Sequence, residues 1–179
     1  TLFSNIGNNG LLKNIVLNLR LPNQAITPYA TGCLFTYNYG NIENIQFNLI
    51  ESYDVANRSL RLLGGVNLGI IDNFVFNLQK KLYGQTELCV GVGGNYGTIK
   101  NGYIYGEGIE LSSVYIENIH SYVAGVANNN RGTIENVYTN FEETKITEGK
   151  MTESGNIAGY NYGTINNIYS VQTGDLVNG

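Results

Sequence analysis

The chain has 179 residues, of which 42% are hydrophobic and 13% charged, a size and an apolar content that suit one packed domain. Ten lysines and arginines stand against fourteen acidic residues, a net charge of −4, so no cationic excess exists to neutralise a phosphate backbone and nucleic acid is not an expected partner. No apolar run reaches the ~18 to 20 residues of a membrane-spanning helix, no signal-like segment opens the chain, and the first residue is Thr1, so the sequence reads as one domain, 1–179, cut from a longer protein and not inserted in a membrane.

Asparagine is over-represented, with 27 copies beside 23 glycines. Both residue types enter left-handed backbone conformations cheaply and weaken helix interiors, which predicts strands joined by bends. The steady supply of Ile, Leu, Val, Phe and Tyr argues against disorder. In chain order, one short unit recurs as NNGLLKNI from Asn8, NYGNIENI from Asn38, NLGIIDNF from Asn67, NYGTIKNG from Asn95, NRGTIENV from Asn130 and NYGTINNI from Asn161. Its glycines are Gly10, Gly40, Gly69, Gly97, Gly132 and Gly163, at steps of 30, 29, 28, 35 and 31 residues. A repeat of about thirty residues is the mark of stacked coils, each unable to bury its apolar edge without a neighbour.

Within one unit, the Asn-x-Gly segment is predicted to turn, with the glycine supplying a positive φ. Leu12, Ile42, Ile71, Ile99, Ile134 and Ile165 then point inward, and Lys13, Glu43, Asp72, Lys100, Glu135 and Asn166 outward, on the period of a strand. The next residue is Asn14, Asn44, Asn73, Asn101, Asn136 or Asn167, and it is followed by Ile15, Ile45, Phe74, Gly102, Val137 or Ile168, mostly apolar where alternation demands polar. A corner at each of these asparagines repairs the phase. Leu17, Phe47, Phe76 and Ile104 two positions later agree, whereas Thr139 and Ser170 agree less well. Stacked at about 4.8 Å, the corner asparagines can pass amide hydrogen bonds from level to level, a ladder that spares each buried amide a cost of ~1 to 3 kcal/mol. Small-residue apolar segments such as CVGVGG and VAGVAN precede the units and predict a further strand per coil. The expected fold is therefore all-β, a right-handed parallel β-helix of about six rungs. Propeller, hexapeptide and leucine-rich periods do not fit. Loops are expected at 51–61, 79–87, 106–113 and 141–155.

Candidate chemistry is sparse. His120 is the single histidine, which excludes an HExxH site. Cys33 and Cys89 fall seven and eight residues before their glycines, two levels apart. That separation, roughly 9 to 10 Å, exceeds the ~7 Å disulfide limit and predicts two buried free thiols. Glu43 and Asp72 are outward neighbours with the spacing of a retaining glycosidase pair, but Lys13 and Lys100 flank them as in a surface charge ladder. Asp54, Asp72 and Asp175 are scattered, and no calcium-binding repeat occurs. Tyr103, Tyr138 and Tyr169 share one outward slot in consecutive units, and Tyr39, Tyr96 and Tyr162 share the slot before the turn glycine. Such rows can bind sugar rings or a partner protein, or simply stabilise a sheet.

The units AGVANNNRGTIENVYT and IAGYNYGTINNIYS resemble the GLUG-type repeats of bacterial surface proteins, and LFSNIGNNGLLKNIVLNL resembles the start of the β-helical N-terminal region of IgA1-cleaving zinc metallopeptidases of Gram-positive bacteria. That resemblance implies a noncatalytic segment, secreted or wall-attached, of a parent metallopeptidase whose HExxH region has no match here. It supplies no catalytic residue, metal ligand or cofactor. The expected partner is a host protein or glycan, engaged by a monomeric module within a larger chain. The alternatives are a carbohydrate-active β-helix enzyme and a structural stalk.

Overall fold

The computed structural model describes residues 1–20, 32–51, 59–84, 87–112, 121–147 and 152–172, and every regular element among them is a β-strand. A first level holds β1 (Phe3–Ile6) and β2 (Leu11–Arg20), and a complete turn follows with β3 (Phe35–Asn38), β4 (Asn41–Glu51) and β5 (Ser59–Arg61). The second turn runs through β6 (Gly64–Asn67), β7 (Ile70–Leu78), the short β8 (Leu82–Gly84) and β9 (Glu87–Cys89). The third comprises β10 (Val92–Asn95), β11 (Thr98–Ser112) and β12 (Ser121–Ala124), and the fourth β13 (Ala127–Asn130), β14 (Thr133–Thr147) and β15 (Thr152–Gly155). A last level holds β16 (Ala158–Asn161) and β17 (Thr164–Gln172).

Strands of one kind stack in parallel. The first sheet has the order β1-β3-β6-β10-β13-β16, the second β2-β4-β7-β11-β14-β17, and the third β5-β9-β12-β15. The chain is thus a parallel β-solenoid, as expected, but with about four complete turns rather than six. The repeat unit sits at the junction of the first two sheets, so counting its copies counts levels there and is blind to the third side. Residues 21–31, between β2 and β3, and 173–179, after β17, lie outside the described residues.

The core follows the alternation read from the sequence. Leu12, Ile42, Ile71, Ile99, Ile134 and Ile165 stand in register, with the inner four buried and the two end members half-buried, each of these having a neighbour on one side only. In the third sheet Leu60, Leu88 and Val123 form an equivalent buried column. Each such side chain contributes about 1.5 to 3 kcal/mol of apolar burial. The two exceptions noted in the sequence have packing causes. Gly102 pairs with Phe74, whose Cζ lies 1.9 Å from where a Gly102 Cβ would sit, so one ring fills two levels. Thr139 is fully buried, and its hydroxyl lies 2.8 Å from that of Ser170 on the next level.

All six corner asparagines, Asn14, Asn44, Asn73, Asn101, Asn136 and Asn167, have left-handed φ between 51° and 58°, which restarts the alternation with an inward residue. The role expected of the turn glycines is corrected: none of the six has a left-handed φ. From Gly40 onward they are required by close approach between levels, whereas a Cβ on Gly10 would meet Gly7 and Ile6 of its own level at 2.9 Å. A Cβ on Gly69 would lie 2.0 Å from the Gly40 carbonyl oxygen, and one on Gly97, Gly132 or Gly163 would lie 2.1 Å from the oxygen of the turn glycine on the preceding level. Those same oxygens accept the N–H of Ile70, Thr98, Thr133 and Thr164. Ladder bonding therefore draws the turns together to a distance no side chain tolerates.

The loop expectations are also revised. Residues 106–112 and 141–147 are strand, because β11 and β14 pair continuously from Thr98↔Thr133 to Ser112↔Thr147. Gly106 (φ 132°) and Gly108 (φ 113°) let β11 bend with the solenoid, and β8 pairs with its far half. Of the expected 51–61 loop, Glu51 ends β4, 59–61 form β5, and 52–58 lie outside the described residues.

Candidate functional site

Two polar ladders run the length of the solenoid. The corner asparagines form the one read from the sequence, at solvent-exposed positions: Asn44 Nδ2 donates to Asn14 Oδ1 at 3.0 Å, Asn73 to Asn44 at 2.7 Å, Asn136 to Asn101 at 3.0 Å and Asn167 to Asn136 at 3.1 Å. The expectation that these amides are buried is thus corrected, since a left-handed corner turns its side chain outward. The ladder is interrupted once, where Asn101 Nδ2 donates to Asp72 Oδ1 at 2.7 Å.

The buried ladder is made by the first asparagine of the unit, at the head of the expected Asn-x-Gly turn. Asn38 Nδ2 donates to Asn67 Oδ1, Asn67 to Asn95, Asn95 to Asn130 and Asn130 to Asn161, each at 2.8 Å, and the first four residues are fully buried. Its donors point toward the later level, whereas those of the corner ladder point toward the earlier one. On the first level the position belongs to Ile6, which pairs with Asn38, and not to Asn8. There the turn is longer and is closed by Gly10 N donating to Gly7 O at 2.7 Å. The invariance of both asparagines in the unit was the available signal, but burial depends on which way the strand faces after the preceding turn.

Outward from the second sheet, Glu43, Asp72 and Lys100 share a register column. Asp72 lies 3.5 Å from Lys100 Nζ besides accepting from Asn101, and both charged side chains are about one-third exposed. This is a screened surface pair contributing at most about 1 kcal/mol. Asp72 is thereby engaged in holding the face together. Among the described residues no group of His, Cys, Asp and Glu could hold a metal ion. His120, Asp54 and Asp175 lie outside the described residues.

The cysteines are free, as expected. Cys33 N donates to Leu62 O and Leu62 N to Cys89 O, so one level separates them. Cys89 is buried, and burial above all pushes its thiol up to about 12, against hydrogen bonds from backbone and the Arg61 charge. Cys33 is only partly buried, and loss of solvent raises it to about 11.

Tyr103, Tyr138 and Tyr169 are brought together as a stack. Centroids are 4.7 Å apart at an interplanar angle of 35° for the first pair, and 5.2 Å apart at 13° for the second. Within the row Tyr103 and Tyr169 are exposed and Tyr138 between them is half-buried. Loss of solvent, then the flanking Tyr103 and Tyr169, holds the Tyr138 hydroxyl above the usual phenol range. Tyr39, Tyr96 and Tyr162 are not consecutive: with Leu68 and Arg131 between them they form a five-level column at the turn, and all four apolar members are exposed. Arg131, absent from the sequence-based candidates, lies over the Tyr96 ring at 6.0 Å and over the Tyr162 ring at 5.2 Å. Compared with known proteins, the chain matches no family, no curated protein and no solved structure.

Proposed function

We propose that this chain is a noncatalytic recognition and spacer module of a secreted or cell-surface bacterial protein, wound right-handed as parallel crossovers almost always are. Its task is to engage a host glycoprotein, immunoglobulin A being the candidate substrate of a parent zinc metallopeptidase. The observation that carries the reading is the stacked row Tyr103, Tyr138 and Tyr169, held in register on the second sheet with its two end members exposed. Two ladders of opposite donor direction stiffen the face beneath it, and a rigid, pre-ordered surface loses little freedom on binding. The resemblance to GLUG-type repeats points the same way.

The test is binding of the purified chain to immobilised IgA1, untreated and enzymatically deglycosylated, by biolayer interferometry. Saturable binding that falls at least about tenfold in a Tyr103→Ala, Tyr138→Ala, Tyr169→Ala triple variant of unchanged circular dichroism is expected, as for an aromatic cluster at the centre of an interface. Absence of binding to IgA1 in both forms, or an undiminished triple variant, would overturn the reading.

A further inference from the structure

The turn column offers a second surface, distinct from the stacked row. Its outward positions on successive levels are Tyr39, Leu68, Tyr96, Arg131 and Tyr162, and beside them run Tyr37, Val66, Gly94, Asn129 and Tyr160. Tyr37 stacks on Tyr39 at 6.3 Å, Tyr160 leans on Tyr162 at 4.4 Å, and the Tyr96 ring reaches over Gly94, its Cε2 3.2 Å from where a Cβ would stand. Arg131 is the one charged residue among these ten. It is exposed, and among the described residues no carboxylate lies within ion-pair distance of it. The flanking rings hold the guanidinium between two levels at 6.0 and 5.2 Å from their centroids, and an exposed guanidinium held in this way can take a carboxylate through two parallel bonds.

Three features select the occupant. Strands β3, β6, β10 and β13 of the first sheet and β4, β7, β11 and β14 of the second each pair on both edges, which denies a peptide the strand-addition mode along this side. The surface is a ridge of rings with hydroxyl groups, suited to stacking on sugars and bonding their hydroxyls. Tyrosine recurs on every second level, and an extended β-linked sugar chain advances about 5 Å per unit, near the strand spacing of about 4.8 Å, and turns over at each unit. Alternate sugars then meet alternate tyrosines. We propose that the ridge binds a carboxylate-bearing β-linked glycan along the solenoid axis, with Arg131 as its acid-recognising anchor. This deepens the recognition reading and rests on it.

A hyaluronan hexasaccharide, neutral chitohexaose and poly-glutamate serve as probes for the whole chain in isothermal titration, with IgA1 binding measured in parallel. The expected result is hyaluronan binding at least about tenfold tighter than chitohexaose, reduced about tenfold by Arg131→Gln and less by Arg131→Lys, the size of a lost charge-assisted bond pair. Arg131→Gln should leave the urea midpoint unchanged, which separates recognition from folding. Hyaluronan affinity that Arg131→Gln alters by less than about twofold, equal binding of chitohexaose, or tighter binding of poly-glutamate overturns the proposal. Failure of hyaluronan with IgA1 binding intact sinks this inference alone, and failure of both sinks the recognition reading with it.

Discussion

Replacing Asn95 by alanine should be among the most damaging single changes in the chain. Asn95 Oδ1 accepts from Asn67 Nδ2 at 2.8 Å, while its Nδ2 donates to Asn130 Oδ1 at 2.8 Å and to the Thr133 carbonyl at 3.1 Å. Deleting the amide strands a donor on the level before and an acceptor on the level after, both fully buried. Asn67 keeps only long contacts of 3.3 and 3.4 Å to Gly69 and Thr98 carbonyls. Each orphaned group costs about 1 to 3 kcal/mol, so the loss should be about 4 kcal/mol with the small void included. Asn101→Ala is the matched control, since it also loses two side-chain bonds, but at exposed positions where water replaces them. Its penalty should come mainly from holding alanine at a φ of 55°, about 1 to 2 kcal/mol, and Asn101→Gly should largely remove it. Urea unfolding followed by circular dichroism measures both. An Asn95→Ala variant no less stable than Asn101→Ala would refute the assignment of the buried ladder to the first asparagine.

Other positions give equally sharp tests. Gly97→Ala and Gly97→Asn should destabilise alike, by about 2 to 3 kcal/mol, because any Cβ meets the Gly69 oxygen; denaturation showing asparagine tolerated would restore the positive-φ explanation. Gly102→Ile should be strongly destabilising alone and substantially rescued by Phe74→Ile, a coupling of about 1 kcal/mol or more in a double-mutant cycle, since the Phe74 ring occupies that space; strict additivity would contradict it. Cys89, raised from 9.0 to about 12, should resist a thiol reagent at pH 8 until the chain unfolds. Its folded pKa lies above the unfolded one, so its contribution to stability is complete below pH 9 and declines as pH rises beyond it, by up to about 1.4 kcal/mol per unit. A native-state thiol that reacts at the rate of a free cysteine would show that the site is open.

Legibility from sequence tracked how local each cause was. The corner asparagines could be read because a left-handed residue shifts the phase of apolar alternation by one, and Ile45, Phe74 and Val137 record that shift directly. The stacked glycines looked like ordinary turn glycines, since their need arises from an oxygen thirty residues away. The further strand per coil was legible, but the six copies of the unit count levels where the first two sheets meet, whereas the third sheet has four strands, and this inflated the count of turns. β11 and β14 continue through glycine and charged residues because backbone pairing between levels, with little help from alternation, sustains them. The stacking of Tyr103, Tyr138 and Tyr169 followed from their shared slot, but their unequal tilt and exposure did not. Arg131 escaped notice because it replaces tyrosine in a column whose aromatic members drew attention.

The central claim is that the first asparagines of the last five units, Asn38, Asn67, Asn95, Asn130 and Asn161, lie one above another inside a single winding chain. Side-chain amide exchange and cross-level NOEs in a selectively asparagine-labelled sample measure this most directly. The account expects slowly exchanging Nδ2 protons for Asn38, Asn67, Asn95 and Asn130, with contacts linking Asn67 to Asn95 and Asn95 to Asn130. Exchange at the rate of exposed amides, with no contact between those pairs, would contradict it.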